Sequence, residues 1–257
     1  MLDFIANQPI DVPTRETLMF LTARIPVGAE ILEIGCGDGH VACQLLRHGY
    51  RVTGLDSDPE VIARAQEGGV PAVVGSWPEF GGSVSFDAIA FTRSLHHISP
   101  LREAIGRARE LLKPMGSLLI EDFAFEEVEE ATLDWFAKVL RSKQATVLIN
   151  PIANQLVTDL LSSTDVMNVW QHHRGHDLHS ITTMNEAIAE RFVAHETQAV
   201  PYLYRYLIPV LAETSTAAAF VKEVFQQETL LGQRGEVVLL GRRIVASPRS
   251  SEMQTLA

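Results

Sequence analysis

Short apolar runs alternate with amphipathic stretches over the first half of the chain. The apolar runs have the length of buried strands and lie at residues 29–34, 50–55, 70–74, 86–91 and 116–120. The other stretches space their apolar positions as helices do, which predicts helices at 11–25, 41–46, 60–66 and 101–112. Strands that alternate with helices at such short intervals predict a doubly wound parallel sheet.

Beyond residue 124 this alternation stops. Helical patterns take over, at residues 128–141, 152–163, 166–173 and 184–190. Two later stretches, 191–200 and 236–245, have the character of closing strands joined by a helical connection. The whole pattern therefore predicts an α/β fold with a mostly parallel sheet of seven strands, an antiparallel edge strand, and a helical insertion between strands 5 and 6.

The first apolar run ends in a glycine loop. Gly35, Gly37 and Gly39 follow it at alternate positions, and Asp56 lies at the end of the second run. A strand that ends in glycines opens a crevice at the carboxyl edge of a parallel sheet, and an acid about 20 residues later can accept from two ribose hydroxyls. This pairing indicates a nucleoside cofactor. The alternative for Asp56 is a loop acid that caps the next helix.

The spacing within the loop argues against a bound phosphate. Dinucleotide-binding loops follow the pattern G-x-G-x-x-G, whereas here the third glycine comes one place early and His40 holds its expected position. Glu33 lies in the strand just before the loop, where it would repel a pyrophosphate but could hold a cation directly or through water. The loop thus favours a cationic cofactor without phosphate over the nicotinamide cofactor of an oxidoreductase.

Composition narrows the possible partners. The formal charge is −11, from 32 acidic and 21 basic residues, so the average surface field repels nucleic acid. No run reaches the roughly 18 apolar residues of a membrane span, and the first four residues lack the basic start of a signal peptide. Cys36 and Cys43 suit free thiols in a reducing compartment. We expect a cytoplasmic protein with no nucleic acid or membrane partner, and its oligomeric state is open.

The motif Glu33-x-Gly35-x-Gly37-x-Gly39, followed by Asp56, resembles the first two motifs of the class I S-adenosylmethionine-dependent methyltransferases. The resemblance covers residues 29 to about 123. It implies a Rossmann-like fold and methyl transfer from S-adenosylmethionine to an oxygen, nitrogen or sulfur atom of a small metabolite. An alternative is a protein that binds this cofactor without transferring its methyl group. The cofactor-binding residues that the resemblance implies are Glu33, Gly35, Cys36, Gly37, Asp56, Ser57, Gly75, Ser76, Trp77 and Thr92.

The stretch after the third strand resembles the place where this family lays side chains beside the adenine. Gly75, Ser76 and Trp77 lie there. Many members have an acidic residue that accepts from the adenine amino group, whereas this chain has Ser76, a weaker acceptor. Trp77 either stacks on the purine or closes the edge of the sheet.

The stretch Leu95-His96-His97 resembles the Leu-His-His signature of many small-molecule members of the family. A histidine near the transferred methyl group can act as general base, because its ordinary pKa of about 6.5 leaves it largely neutral at pH 7. We expect His97 or His96 in this role, and the alternative is that both pack at the start of the next helix. Glu121, at the end of the fifth strand, either orients the acceptor or is a solvated loop acid.

The helical insertion contains a cluster of histidines between Trp170 and His179. Such a cluster could ligate a metal, contact substrate or serve as polar helix ends. We expect no metal, because nothing in the sequence fixes the geometry that a metal site needs. The residues expected to contact substrate are His176, His179, Trp170 and Tyr204.

The chain is expected to have four parts. Residues 1–124 form the cofactor-binding core with its N-terminal helix, and 125–190 form a helical lid that builds the pocket for a small-molecule methyl acceptor. Residues 191–246 complete the sheet, and 247–257 form a disordered tail.

Overall fold

The computed structural model describes residues 6–81, 84–173 and 178–249. The strands are β1 (Glu30–Ile34), β2 (Arg51–Asp56), β3 (Ala72–Val74), β4 (Phe86–Thr92), β5 (Leu112–Phe123), β6 (Phe192–Val200) and β7 (Gly241–Pro248). The α-helices are α1 (Asp11–Thr22), α2 (His40–Arg47), α3 (Pro59–Glu67), α4 (Leu101–Leu111), α5 (Glu130–Leu140), α6 (Lys143–Leu148), α7 (Gln155–Ser162), α8 (Val166–His173), α9 (Ile181–Arg191) and α10 (Ser215–Gln233). Short 3-10 helices lie at Leu95–His97, Phe125–Glu127, Pro151–Ala153 and Leu203–Val210.

The seven strands form one sheet in the order β3-β2-β1-β4-β5-β7-β6, which confirms the predicted α/β fold. The pairs β2–β3, β1–β2, β1–β4 and β4–β5 are parallel. Strand β4 is buried over most of its length, as expected of a central parallel strand covered on both faces. The chain enters the sheet at β1 and builds outward in both directions, so a crevice opens at the carboxyl ends of β1 and β4.

The register of the sheet brings the ends of its central strands to one level. Ile34 at the end of β1 pairs with Leu55 on β2 and with Phe91 on β4. Phe91 in turn pairs with Ile120 on β5. The loops that follow these strands therefore emerge at the same edge of the sheet, and the polar residues they carry lie in one region.

The described chain forms two compact units. The sheet unit takes residues from 17–123, 178–198 and 242–249, and it carries the sheet apart from the end of β6 and the first residue of β7. The helical unit takes residues from 6–16, 124–173 and 199–241. The four-part division expected from the sequence stays a prediction. Residues 247 and 248, which were expected in the tail, lie in β7, and the tail from residue 250 onward lies outside the described residues. In the described part of the chain, every helix is too short or too polar to cross a membrane.

The last strand begins later than its apolar pattern predicts. Residues 236–240 were expected in the strand, but β7 starts at Gly241. The Val238 N–H donates to the Thr132 hydroxyl oxygen at 2.8 Å, and the Leu240 carbonyl accepts from the Ala124 N–H at 2.8 Å. The backbone of this stretch is thus bonded to the start of α5 and to Ala124, the residue that follows β5, and the sequence pattern did not reveal these bonds.

A buried carboxylate anchors one segment of the helical unit. Glu228 on α10 has no exposed surface, and its two oxygens accept from the backbone N–H groups of Tyr202, Leu203 and Tyr204 at 2.6, 3.0 and 3.1 Å. These N–H groups lie at the start of the 3-10 helix Leu203–Val210, where backbone donors lack partners within the helix. Burial raises the pKa of Glu228 to about 7, and the three N–H groups oppose that rise.

We expect Glu228→Ala to lower the free energy of unfolding by about 3 kcal/mol, because three backbone N–H groups, two of them in buried bonds, lose their acceptor. Chemical denaturation measures this change. Glu223→Ala, at an exposed position of the same helix, is the control and should cost well under 1 kcal/mol. Equal losses in the two variants would show that the carboxylate does not anchor the segment.

Candidate active site

The glycine loop between β1 and α2 allows a close approach of two chain segments. Gly35 has φ 73°, in the left-handed region that side chains disfavour. A Cβ built on Gly35 would lie 2.4 Å from the Cβ of Ser94, and the Ser94 hydroxyl donates to the Ile34 carbonyl at 2.5 Å. The loop after β4 is thus held directly against the loop after β1, which only glycine permits at position 35.

A cavity of about 560 Å³ lies beside these loops, within the sheet unit. Its volume is in the range of small-molecule and cofactor pockets. Seven residues expected at the site line the cavity, and they are Gly35, Asp56, Ser57, Gly75, Ser76, Trp77 and His97. The structure thus gathers residues that follow four different strands, β1, β2, β3 and β4, around one space.

Asp56 presents a partly satisfied carboxylate to the cavity. Its Oδ2 accepts from the Gly37 N–H at 3.0 Å, and its Oδ1 accepts from the Asp58 N–H at 3.1 Å. A carboxylate has about four lone-pair positions, so each oxygen keeps roughly one for a ligand. Asp58, and not Asp56, caps α3, through a bond of 2.8 Å from the Glu60 N–H. Asp56 is therefore available to accept two ligand hydroxyls.

Glu33 is a buried acid beneath the glycine loop. Its side chain accepts from the Thr92 hydroxyl at 2.7 Å through Oε1, whereas Oε2 has no hydrogen-bond partner within the described parts of the chain. Burial raises the pKa of Glu33 to about 7, and the Thr92 hydroxyl and the Arg93 charge oppose the rise. Glu33 and Thr92 are 1% and 4% exposed, and neither residue lines the cavity.

Trp77 and Cys36 are held within the protein framework. The indole N–H of Trp77 donates to the Ala104 carbonyl at 3.1 Å, and its ring meets Phe91 edge to face at 6.1 Å. Trp77 therefore packs against β4 and α4 and also lines the cavity. Cys36 is buried, and burial followed by the charges of Glu33 and Asp56 raises the pKa of its thiol to about 12. The thiol stays protonated at neutral pH.

The two histidines of the loop after β4 lie in different environments. His96 is 5% exposed, and its Nδ1 is 2.5 Å from Oδ1 of the buried Asp122. His97 is exposed and lines the cavity, with its ring 4.0 Å from that of His96. Partial burial, and next the neighbouring His96, lower the pKa of His97 below its ordinary value. His97 is thus the histidine that presents a neutral ring to the cavity, and His96 packs behind it.

His179 supports this same loop. Its backbone N–H donates to the His96 carbonyl at 2.9 Å, and its Nε2 lies 3.0 Å from the Ile98 carbonyl and 2.9 Å from the Ser99 hydroxyl. Ile98 and Ser99 both line the cavity. His179 thereby fixes the loop, and contact with a substrate stays a prediction for it.

Glu121 lies behind the cavity at the centre of a charged cluster. It is 2% exposed and accepts from the Thr17 hydroxyl at 2.6 Å, from Arg93 Nη1 at 3.2 Å and from Arg243 Nε at 2.7 Å. These bonds join α1, β5, β7 and the loop after β4. Glu121 is therefore neither a solvated loop acid nor a lining residue of the cavity. Sequence reasoning missed Arg93, because no motif marks a lone arginine.

The remaining expected substrate residues lie in the helical unit or outside the described residues. Trp170 is 4% exposed, and its indole N–H donates to the Phe125 carbonyl at 3.2 Å. Tyr204 is 1% exposed and packs edge to face on Phe225 at 5.1 Å. His176 lies outside the described residues. Substrate contact stays a prediction for all three.

The described part of the histidine cluster includes a histidine–aspartate pair. His173 Nε2 is 2.6 Å from Asp159 Oδ2, and the exposed His172 is its neighbour. Across residues 6–81, 84–173 and 178–249, no three histidine, cysteine or acidic side chains are grouped closely enough to hold a metal ion.

Comparison with known proteins identifies the family. Residues 10–182 match the family model described as a methyltransferase domain. An uncharacterised methyltransferase of Mycobacterium bovis is 34% identical over 110 residues, which are 40% of this chain and 55% of that protein. The chain thus spans about half the length of the curated relatives it matches first. An S-adenosyl-L-methionine-dependent Diels-Alderase of Talaromyces variabilis is 36% identical over 135 residues, 47% of this chain and 44% of that protein.

A solved structure shows the same fold. The crystal structure of a putative sarcosine dimethylglycine methyltransferase from Galdieria sulphuraria superposes with a TM-score of 0.55 over 93% of this chain and 86% of that one. The two sequences are 17% identical, so this likeness concerns the fold alone.

Proposed function

The chain belongs to the class I S-adenosylmethionine-dependent methyltransferases, and we propose that it transfers the methyl group to an oxygen, nitrogen or sulfur atom of a small metabolite. The observation that carries the proposal is a single cavity lined both by Asp56, with acceptor positions left open, and by His97, with a neutral ring. A pocket of about 560 Å³ suits a nucleoside cofactor and part of a small acceptor. The acidic surface disfavours nucleic acid as the acceptor.

The residues present suit this cofactor. Asp56 has lone pairs for the two ribose hydroxyls, and Gly75, Ser76 and Trp77 line the wall after β3, where the adenine is expected. The unpartnered Oε2 of Glu33 places negative charge beneath the loop, which favours the cofactor's ammonium group and its sulfonium. When bound, S-adenosylmethionine would supply an electrophilic methyl group carried by a positively charged sulfur, and the sulfur would leave as the thioether of S-adenosylhomocysteine.

The chain's own residues contribute mainly by holding groups in place. Positioning alone lowers the barrier of a two-reactant step, and no protein nucleophile is needed. Where the acceptor is a hydroxyl or thiol, His97 accepts its proton, since its lowered pKa keeps the ring neutral at pH 7. His96 and His179 position the loop that carries His97. The lid role of residues 125–190 belongs to the same proposal.

The role of Asp56 predicts a specific loss of affinity. Asp56→Ala should weaken binding of S-adenosylhomocysteine by more than roughly tenfold in titration calorimetry, because charged hydrogen bonds are lost. Wild type should prefer adenosine to 2′,3′-dideoxyadenosine, and the variant should not. Asp38→Asn, an exposed loop position, is the control. A preference that survives in Asp56→Ala would remove the ribose role.

The raised pKa of Glu33 predicts a pH-dependent affinity. A cationic ligand favours the ionised carboxylate, so affinity for S-adenosylhomocysteine should fall as pH drops below the pKa of about 7. The fall should approach about tenfold per pH unit at most. Calorimetry between pH 8 and pH 5.5 measures it. Methylthioadenosine, which lacks the ammonium group, and the variant Glu33→Gln should both show a flat profile. A flat profile for wild type with S-adenosylhomocysteine would contradict the charge role.

His97→Ala should lower the methylation rate of phenol or thiol acceptors by about 100-fold or more, with unchanged affinity for S-adenosylhomocysteine. The measurement is S-adenosylhomocysteine formation across a panel of small phenols, thiols and amines. His195→Gln, at an exposed position of β6, serves as the control. An unchanged rate on every accepted phenol or thiol would exclude His97 as the base.

A second candidate is use of the cofactor without methyl transfer. It is favoured by the similarity to a protein described as an S-adenosyl-L-methionine-dependent Diels-Alderase. Cofactor binding would then persist while no acceptor in the panel yields S-adenosylhomocysteine. Formation of that product with any acceptor decides for methyl transfer.

A further inference from the structure

We propose that Arg93 binds a carboxylate group inside the cavity, carried either by the amino-acid part of the cofactor or by the methyl acceptor. The inference rests on the proposed function and adds to it a specificity-determining residue. Arg93 has φ 67°, and among the described residues it is the one non-glycine residue with positive φ. Such strained conformations concentrate at functional sites.

The strained backbone is held in place by β5. The Arg93 N–H donates to the Glu121 carbonyl at 2.7 Å, directly after Thr92 pairs with Glu121 at the end of β4. The side chain then turns back toward the same residue, and Nη1 bonds to Oε1 of Glu121 at 3.2 Å and to the Thr17 hydroxyl at 3.4 Å. One end of the guanidinium group is therefore fixed before any ligand arrives.

The other edge of the guanidinium group is open. Nε and Nη2 have no hydrogen-bond partner in the part of the chain that the structure describes, and the side chain is 29% exposed and lines the cavity. These two nitrogens donate in parallel from the same side of the planar group, which is the geometry that grips a carboxylate with two hydrogen bonds. The arrangement presents a preorganised binding edge.

Charge favours the same ligand. Glu121 is shared with Arg243, whose Nε lies 2.7 Å from it, so one carboxylate faces two guanidinium groups. Of the described residues lining the cavity, Arg93 alone is a lysine or arginine, while Asp56 and Glu79 are acids. A cavity in a chain of net charge −11 repels anions unless a fixed cation meets them. Arg93 is that cation.

The sheet separates this edge from the ribose position. Asp56 ends β2 and Arg93 follows β4, with β1 between the two strands. Two strand spacings amount to about 10 Å. The carboxylate therefore belongs to a part of the ligands beyond the nucleoside, either the amino-acid end of the cofactor or the acceptor.

Binding measurements distinguish the two sources. Titration calorimetry compares S-adenosylhomocysteine with methylthioadenosine, which lacks the amino-acid carboxylate, in wild type, Arg93→Gln and Arg93→Lys. Ligand-observed NMR then compares benzoate with benzamide on protein saturated with S-adenosylhomocysteine. Two further variants serve as controls. Thr17→Val removes a hydrogen bond to Glu121 and keeps the charge of Arg93, and Arg102→Gln removes an exposed arginine elsewhere. Circular dichroism checks that each variant is folded.

If the carboxylate belongs to the cofactor, Arg93→Gln weakens the binding of S-adenosylhomocysteine by roughly 10- to 100-fold and leaves the binding of methylthioadenosine unchanged. Arg93→Lys recovers part of the lost affinity, because lysine keeps the positive charge but lacks the two parallel N–H donors. If it belongs to the acceptor, both nucleosides bind as in wild type, and the benzoate signal of wild type disappears in Arg93→Gln.

If Arg93→Gln weakens the binding of both nucleosides equally, Arg93 has a structural role and the proposal is overturned. Thr17→Val shows what such a structural effect looks like, because we expect it to weaken the binding of both nucleosides equally. Unchanged binding of all four ligands in Arg93→Gln would also overturn the proposal. Failure of wild type to bind S-adenosylhomocysteine is a different result, which contradicts the proposed function and not the role of Arg93.

Discussion

The lack of a side chain at position 35 is the constraint on which the cavity depends. With a Cβ there, Ser94 could not lie against the end of β1, and its hydroxyl could not reach the Ile34 carbonyl. The loop after β4 would have to move away, taking Arg93 and His97 with it. Gly35 thus shapes two walls of the cavity. It belongs to the glycine loop, and its lack of a side chain lets the loop after β4, 60 residues later in sequence, pack directly against that loop.

Four buried acids in the structure show how differently a protein stabilises such groups. Glu228 is bonded by backbone N–H groups, Asp122 by a histidine, and Glu121 by two arginines and a hydroxyl. Glu33 is the exception, since one of its oxygens lacks a hydrogen-bond partner in the described residues. A buried unpaired polar atom is costly and therefore unusual. Its place directly beneath the glycine loop is consistent with electrostatic stabilisation of a cationic ligand.

The sequence allowed the sheet and half of the residues that line the cavity to be predicted, for physical reasons that differ by residue. Asp56 and Gly35 were found because strand ends and positive φ angles impose residue types at fixed spacing. The roles of Glu121 and Arg93 were not found, because they depend on contacts between distant segments. Thr17 and Arg243 bond to Glu121 across more than 100 residues of sequence, and Arg93 bonds to both Thr17 and Glu121. The start of β7 was misplaced for a related reason: Val238 bonds to Thr132, a partner that no local pattern indicates.

The order of strands has a consequence for biosynthesis. β7 lies between β5 and β6 although the ribosome makes it after both. Until β7 emerges, β5 and β6 each expose a backbone edge that has no partner, and such edges promote aggregation. Arg243, which bonds to Glu121 behind the cavity, arrives with β7 as well. The open edge of β5 must therefore stay protected while more than 100 further residues are made, and the charged cluster behind the cavity is completed only when β7 joins the sheet.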